Sequence, residues 1–197
     1  MFEFSHINEA ETYLVKTLSG DRFLRSAGDL SNSSCFVAPY PPEQQPAAEL
    51  MVKQVVRDLK ARGVNACVVN AYDEMLAVLD EDGFWGMYVE IEPSVSAVDL
   101  TNALQDSIEV RGPYAQRFSD RVTQEEADLL IITGVGAAFP IVRVHTLVEV
   151  VNPGVPVLVM FPGRQTVRPD GKRSLDVLTT PPGENQGKYR ARNIFDF

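Results

Sequence analysis

The sequence has little of what most catalytic and metal-binding chemistries require. It holds two cysteines, Cys35 and Cys67, and two histidines, His6 and His145. Two cysteines cannot build a disulfide framework or a Cys-based zinc site, and both lie in apolar, strand-like runs that read as core. Neither histidine has another histidine or a cysteine at metal-ligand spacing, so neither a metal nor a cofactor is expected. No Gly-Lys-Ser/Thr occurs, since Gly171-Lys172 is followed by Arg173 and Gly187-Lys188 by Tyr189, which excludes a P-loop. The two best strands end in Thr133-Gly134 and Phe161-Pro162, without acids to hold magnesium. G-x-S-x-G is missing, neither cysteine follows a catalytic signature, and Ser33, Ser34 and Cys35 read as structural. No stretch approaches the roughly 18 apolar residues that span a bilayer. The opening MFEFSHINEAE has glutamates where a secretory signal needs lysines and a long apolar run, so a cytoplasmic location is expected.

What is present is an average soluble composition, 45% hydrophobic and 23% charged, in 197 residues. That length suits one core, since single cores commonly run to roughly 200 residues. The net charge of −9 is unevenly spread: residues 164–197 carry +3 and residues 1–163 carry −12. A basic arm on an acidic body either folds back, docks a partner or binds nucleic acid. The arm lacks the dense Lys/Arg run that phosphate tracking favours, so no direct nucleic-acid contact is expected.

Periodicity predicts a helix from Phe4 to Leu18, capped by Ser5 or Asn8, and a first strand at 34–38 stopped by P-Y-P-P. A helix opened by Pro46 follows, with Ala48, Met51, Val52, Val55, Val56 and Leu59 on one face and Gly63 as its left-handed stop. Val64–Val69 reads as a strand buried on both faces. Asp73 is expected to cap a short helix to Leu79, Phe84–Ile91 is ambiguous, and Ser96 with Asp99 opens a helix to Ile108. A helix at 113–122, strands at 129–133 and 155–161, and a helix from Pro140 to Val151 complete the series. Such alternation predicts a single α/β domain, 1–163, with a mostly parallel sheet of four to five strands flanked by helices. Residues 164–197 form an irregular extension packed on the domain or on a partner, with one short element near Ser174–Leu178.

In such sheets ligands bind beyond the carboxyl ends of the strands, here Pro39–Gln45, Asn70–Glu74, Gly134–Phe139 and Pro162–Gln165. The loop T-G-V-G-A-A-F-P places Gly134 and Gly136 after a strand and before a helix, the setting of phosphate loops. Its third glycine is missing and Pro140 removes a donor, so a simple chain reversal is the competing reading. Arg143 is either solvated, a clamp for a carboxylate or phosphate, or a partner anchor. His145 is expected to pair with Glu149 one turn on, in preference to serving catalysis. Asp80, Glu81, Asp82, Glu90 and Glu92 read as a solvated acidic face, and the cluster Phe84, Trp85, Met87 and Tyr88 as core in preference to an interface anchor.

Several segments resemble the BrxB family of BREX bacteriophage-defence systems. They are D-R-F-L at Asp21–Leu24, Y-P-P-E at Tyr40–Glu43, T-G-V-G-x-x-F-P-x-V-R-x-H-x-L from Thr133 to Leu147, F-P-G at Phe161–Gly163 and Y-R-A at Tyr189–Ala191. The resemblance implies an accessory component without assigned activity and without catalytic residues. Its implied partners are other BREX proteins, such as the PglZ-like protein and the large ATPase, with Tyr189, Arg190 and Arg192 as candidate contacts. The stretch Arg164–Lys188 departs from the family pattern. Two classes therefore compete: a non-catalytic interaction subunit of a defence complex, and a small nucleotide- or phosphate-binding protein or enzyme using the T-G-V-G loop.

Overall fold

A computed structural model describes residues 7–28, 34–167, 173–176 and 191–197. The chain runs α1 (Ile7–Leu18), α2 (Asp21–Leu24), β1 (Cys35–Tyr40), α3 (Gln45–Ala61), β2 (Ala66–Asn70) and α4 (Ala71–Glu81). It continues through α5 (Phe84–Ile91), α6 (Ala97–Ile108), α7 (Pro113–Gln124), β3 (Leu129–Thr133), α8 (Val135–Ala138), α9 (Val144–Val150) and β4 (Val157–Pro162). Last come β5 (Arg164–Val167), β6 (Arg173–Asp176) and β7 (Arg192–Asn193). The fold is α/β. Five strands form one parallel sheet in the order β2-β3-β4-β1-β7, and β5 and β6 form a separate antiparallel hairpin.

The order follows from how alternate side chains are shared between two cores. Phe36, Ala38, Leu129, Ile131, Leu158 and Met160 face α1 and α3. Their neighbours Val37, Leu130, Ile132, Val157 and Val159 face the layer built from α4 to α9. A strand that is apolar at every position needs cover on both faces, which these helices supply. The crossover from β1 to β2 uses the α3 face, while the returns from β2 to β3 and β3 to β4 use the other. A single crossover hand requires that change of face when the direction of travel reverses.

Local rules set most boundaries. Gly63 turns the chain at φ +79°, and Ser96 Oγ accepts the Asp99 amide at 3.1 Å to open α6. Asn70, not Asp73, caps α4: its Oδ1 accepts the amides of Tyr72 at 3.0 Å and Asp73 at 3.4 Å, so the helix starts straight from the strand. The helix expected from Pro140 does not begin there. A proline holds the residue before it extended, and Phe139 at ψ 139° ends α8; the chain turns before α9 begins at Val144. The strand expected to be buried on both faces is an edge strand that starts at Ala66 and leaves Val68 40% exposed. In the aromatic cluster only Tyr88 is buried, with Phe84 packed beside it, while Trp85 and Met87 point to solvent. Ser5, Ser33, Tyr189 and Arg190, and the Asn8 side chain, lie outside the described residues.

The last seven residues belong to the fold. Strand β7 pairs with β1 through Phe36↔Arg192 and Val37↔Asn193, covering an edge that would otherwise present unpaired backbone groups. Ile194 is fully buried against the α1 and α3 core. The Phe197 ring meets Phe36 and Phe23 edge-on at 5.1 and 6.0 Å, and Phe195 lies 5.7 Å from Tyr13. Replacing Ile194 with alanine is expected to cost about 2–4 kcal/mol in chemical denaturation. Unchanged stability would show that the tail lies outside the cooperative unit.

Candidate functional site

The four main strands are parallel, so Tyr40, Asn70, Thr133 and Pro162 end on one edge of the sheet. Gly134 sits at φ +71°, a left-handed conformation that disfavours a side chain, and a Cβ there would lie 1.8 Å from Asn70 Oδ1. A Cβ on Gly136 would lie 2.6 Å from Pro162 Cγ. Both glycines of the T-G-V-G loop are thus needed for close packing against neighbouring strand ends. The Gly163 amide donates to Tyr40 O at 2.9 Å, tying the F-P-G turn to the end of β1. These contacts draw the ends of β2, β3 and β4 close together.

Arg143 and His145 are brought together elsewhere. They line an open cleft of about 720 Å³ between the end of α6, the Glu109–Gly112 turn and the start of α9. Its opposite wall carries Asp106, Glu109 and Arg111, so the cleft mixes both signs of charge. Gln105 Nε2 donates to Pro140 O at 2.8 Å and fixes the floor. Neither Gly134 nor Gly136 is among the lining residues. The expected His145–Glu149 pair is replaced: Glu149 takes Arg111 at 3.1 Å, because the Glu109–Gly112 turn carries a full positive charge to it. His145 is held below its ordinary value of 6.5, first by burial and then by Arg143, with Arg111 adding to the effect and Glu149 opposing it.

Arg192 stacks its guanidinium over Phe36 at 4.8 Å and over Phe197 at 5.3 Å, so it packs within the protein. Burial pushes the Cys35 and Cys67 thiols up to about 12, far from a reactive thiolate at neutral pH. Within the acidic face, Asp80, Asp82, Glu90 and Glu92 are exposed, but Glu81 is engaged by Arg117 at 2.8 and 3.1 Å, which holds its carboxyl below the usual range. The strongest charge cluster escaped sequence reasoning. Glu74, only 6% exposed, accepts Arg117 Nε at 2.7 Å and Arg121 at 3.1 Å, joining α4 to α7. The available signal was its place on the apolar stripe of α4, beside Met75 and one turn before Val78.

The sequence profile described as "BREX protein BrxB" matches residues 67–194, a span holding the packed loop glycines, the cleft and Ile194. The chain belongs to the BrxB family. A BREX protein BrxB from Bacillus cereus (strain H3081.97) is 24% identical over 201 residues, covering 96% of this chain and 98% of that protein. Another from Escherichia coli O9:H4 (strain HS) is 25% identical over 149 residues, 74% of each chain. No solved structure matches. The block from Thr133 to Leu147 that carries the family resemblance therefore holds both the packed glycines and the two residues of the cleft.

Two expectations follow. Gly134→Ala is expected to lose at least about 2 kcal/mol of stability, and Asn70→Ala in the same chain to recover part of it by making room, despite losing a helix cap. Gly134→Ala at full stability would contradict the packing role. His145 binds its proton less readily folded than unfolded, so the stability tied to its neutral form is present above pH 6.5 and is lost as pH falls below it. Arg143→Ala is expected to raise the His145 midpoint in an NMR titration; an unmoved midpoint would contradict the coupling.

Proposed function

We propose that this BREX-system component acts as a non-catalytic interaction subunit of a phage-defence complex, in the cytoplasm, with the PglZ-like protein and the large ATPase among its neighbours. The observation that carries this reading is the close packing of the T-G-V-G loop, whose Gly134 and Gly136 lie directly against Asn70 and Pro162 at the carboxyl ends of the neighbouring strands, where an α/β sheet ordinarily receives a ligand. Family membership and two thiols buried away from reactive form support it. A small nucleotide- or phosphate-binding role is the competing reading, favoured only by the cleft in which Arg143 and His145 meet. No described helix is long and apolar enough to cross a membrane.

Purified protein is expected to show no ATPase, phosphatase or nuclease turnover above a mock preparation, and to co-purify with other BREX proteins of its own system. Turnover abolished by Arg143→Ala or His145→Ala at unchanged melting temperature would overturn the reading in favour of the enzyme.

A further inference from the structure

Helices α5 and α6 carry a surface that the described residues leave uncovered. Helix α5 is anchored by one face: Tyr88 is buried, its hydroxyl donating to Ala103 O at 2.9 Å and lying 2.6 Å from Ser107 Oγ, with Phe84 and Ile91 packed beside it. Trp85 and Val89, one turn apart on the flank of that face, are exposed, and so are Val95 and Val98 where the chain turns into α6. Trp85 is 45% and Val98 68% exposed. Gly86 leaves the outer side of the helix without a side chain. Exposed large apolar side chains concentrated in one short stretch of chain mark a candidate contact site, and tryptophan is among the residues that most often dominate one.

The charge carried by the segment that forms this face is one-sided. From Gly63 to Val110 the chain has ten acidic residues and no lysine, arginine or histidine. Among the described residues Arg117 and Arg121 reach in from α7 to Glu74 and Glu81, and Asp80, Asp82, Glu90, Glu92 and Asp99, interspersed along the chain with the apolar residues, are exposed acids. Nucleic acid and anionic lipid are repelled by such acids. A second copy seated face to face would set acids against acids. We propose that α5 and the start of α6 dock a segment of another protein that is apolar on one stripe and flanked by lysine or arginine. An amphipathic basic helix meets both requirements: its stripe covers Trp85, Val89 and Val98, and its cations meet the acids. This deepens the interaction-subunit reading and rests on it.

Trp85 is the only tryptophan, so fluorescence of the full chain reports this face alone. A synthetic leucine–lysine helix with an apolar stripe flanked by lysines is expected to shift Trp85 emission to the blue, with binding weakened about tenfold or more between ~0.05 M and ~0.5 M salt. The same helix with glutamates for lysines, and a lysine peptide with its stripe scrambled, are expected to cause no shift. No shift with the first peptide, or equal shifts with all three, overturns the proposal. In co-purification with BREX proteins of its own system, Glu90→Lys with Glu92→Lys, and separately Trp85→Ser with Val98→Ser, are expected to cut partner recovery about tenfold or more. Melting temperature is expected to stay unchanged; where the Trp85 variant melts lower, the charge-reversed variant decides. Full recovery with the charge-reversed variant overturns this face and leaves the interaction-subunit reading standing. No recovery with the unsubstituted chain overturns that reading, and the peptide titration then decides the face by itself. A dimer abolished by these substitutions assigns the face to a second copy and overturns the proposal.

Discussion

Asn70 ties a helix start and two strand ends together at one point. Its amide oxygen caps α4 through the amides of Tyr72 and Asp73, and it does so in the space that Gly134 leaves by lacking a side chain. One contact thereby starts the helical layer on one face and locks the ends of β2 and β3 at the same depth. Gly136 against Pro162 repeats the device between β3 and β4, and the Gly163 amide on Tyr40 O extends it to β1. Glycines placed at a strand end in this protein let neighbouring strand ends close on one another.

Charge is divided to match. The buried Glu74 would be costly without partners, since an uncompensated carboxylate in a protein interior loses its hydration. Arg117 and Arg121 supply them and fasten α4 to α7. Both arginines come from beyond Val110, and the long stretch before it supplies only acids. The acids left on α4, α5 and α6 are exposed and give this part of the helical layer a negative surface. On the opposite face the basic tail returns: Arg22 lies 4.4 Å over the Phe197 ring, and Arg192 stacks on Phe36. The positive end of the chain is partly used in closing the sheet.

Much of this architecture was legible in the sequence, because continuous apolar runs at 129–133 and 155–161 and the stripe from Ala48 to Leu59 obey simple periodicities. The parallel sheet, the capping role of Ser96 and the turn at Gly63 followed from local rules. What was missed depends on neighbours distant in sequence. Val68 is exposed because the strand order puts β2 at an edge, which no local pattern encodes. Glu149 turned to Arg111, 38 residues away, and not to His145 on its own helix. Trp85 and Met87 share composition with core residues, and only the packing of α5 through Tyr88 separates the buried from the exposed. At the site, the loop glycines were found from their motif, whereas the reason for them, Asn70 and Pro162, came from the fold.

Hydrogen exchange of the chain, free and bound within its BREX complex, tests most directly the claim that this protein works through its outer helical surface and not through its sheet edge. The expected result is partner-dependent protection over 84–98, with 70–73 and 133–138 unchanged. Protection concentrated at 70–73 and 133–138, with 84–98 unaffected, would contradict it.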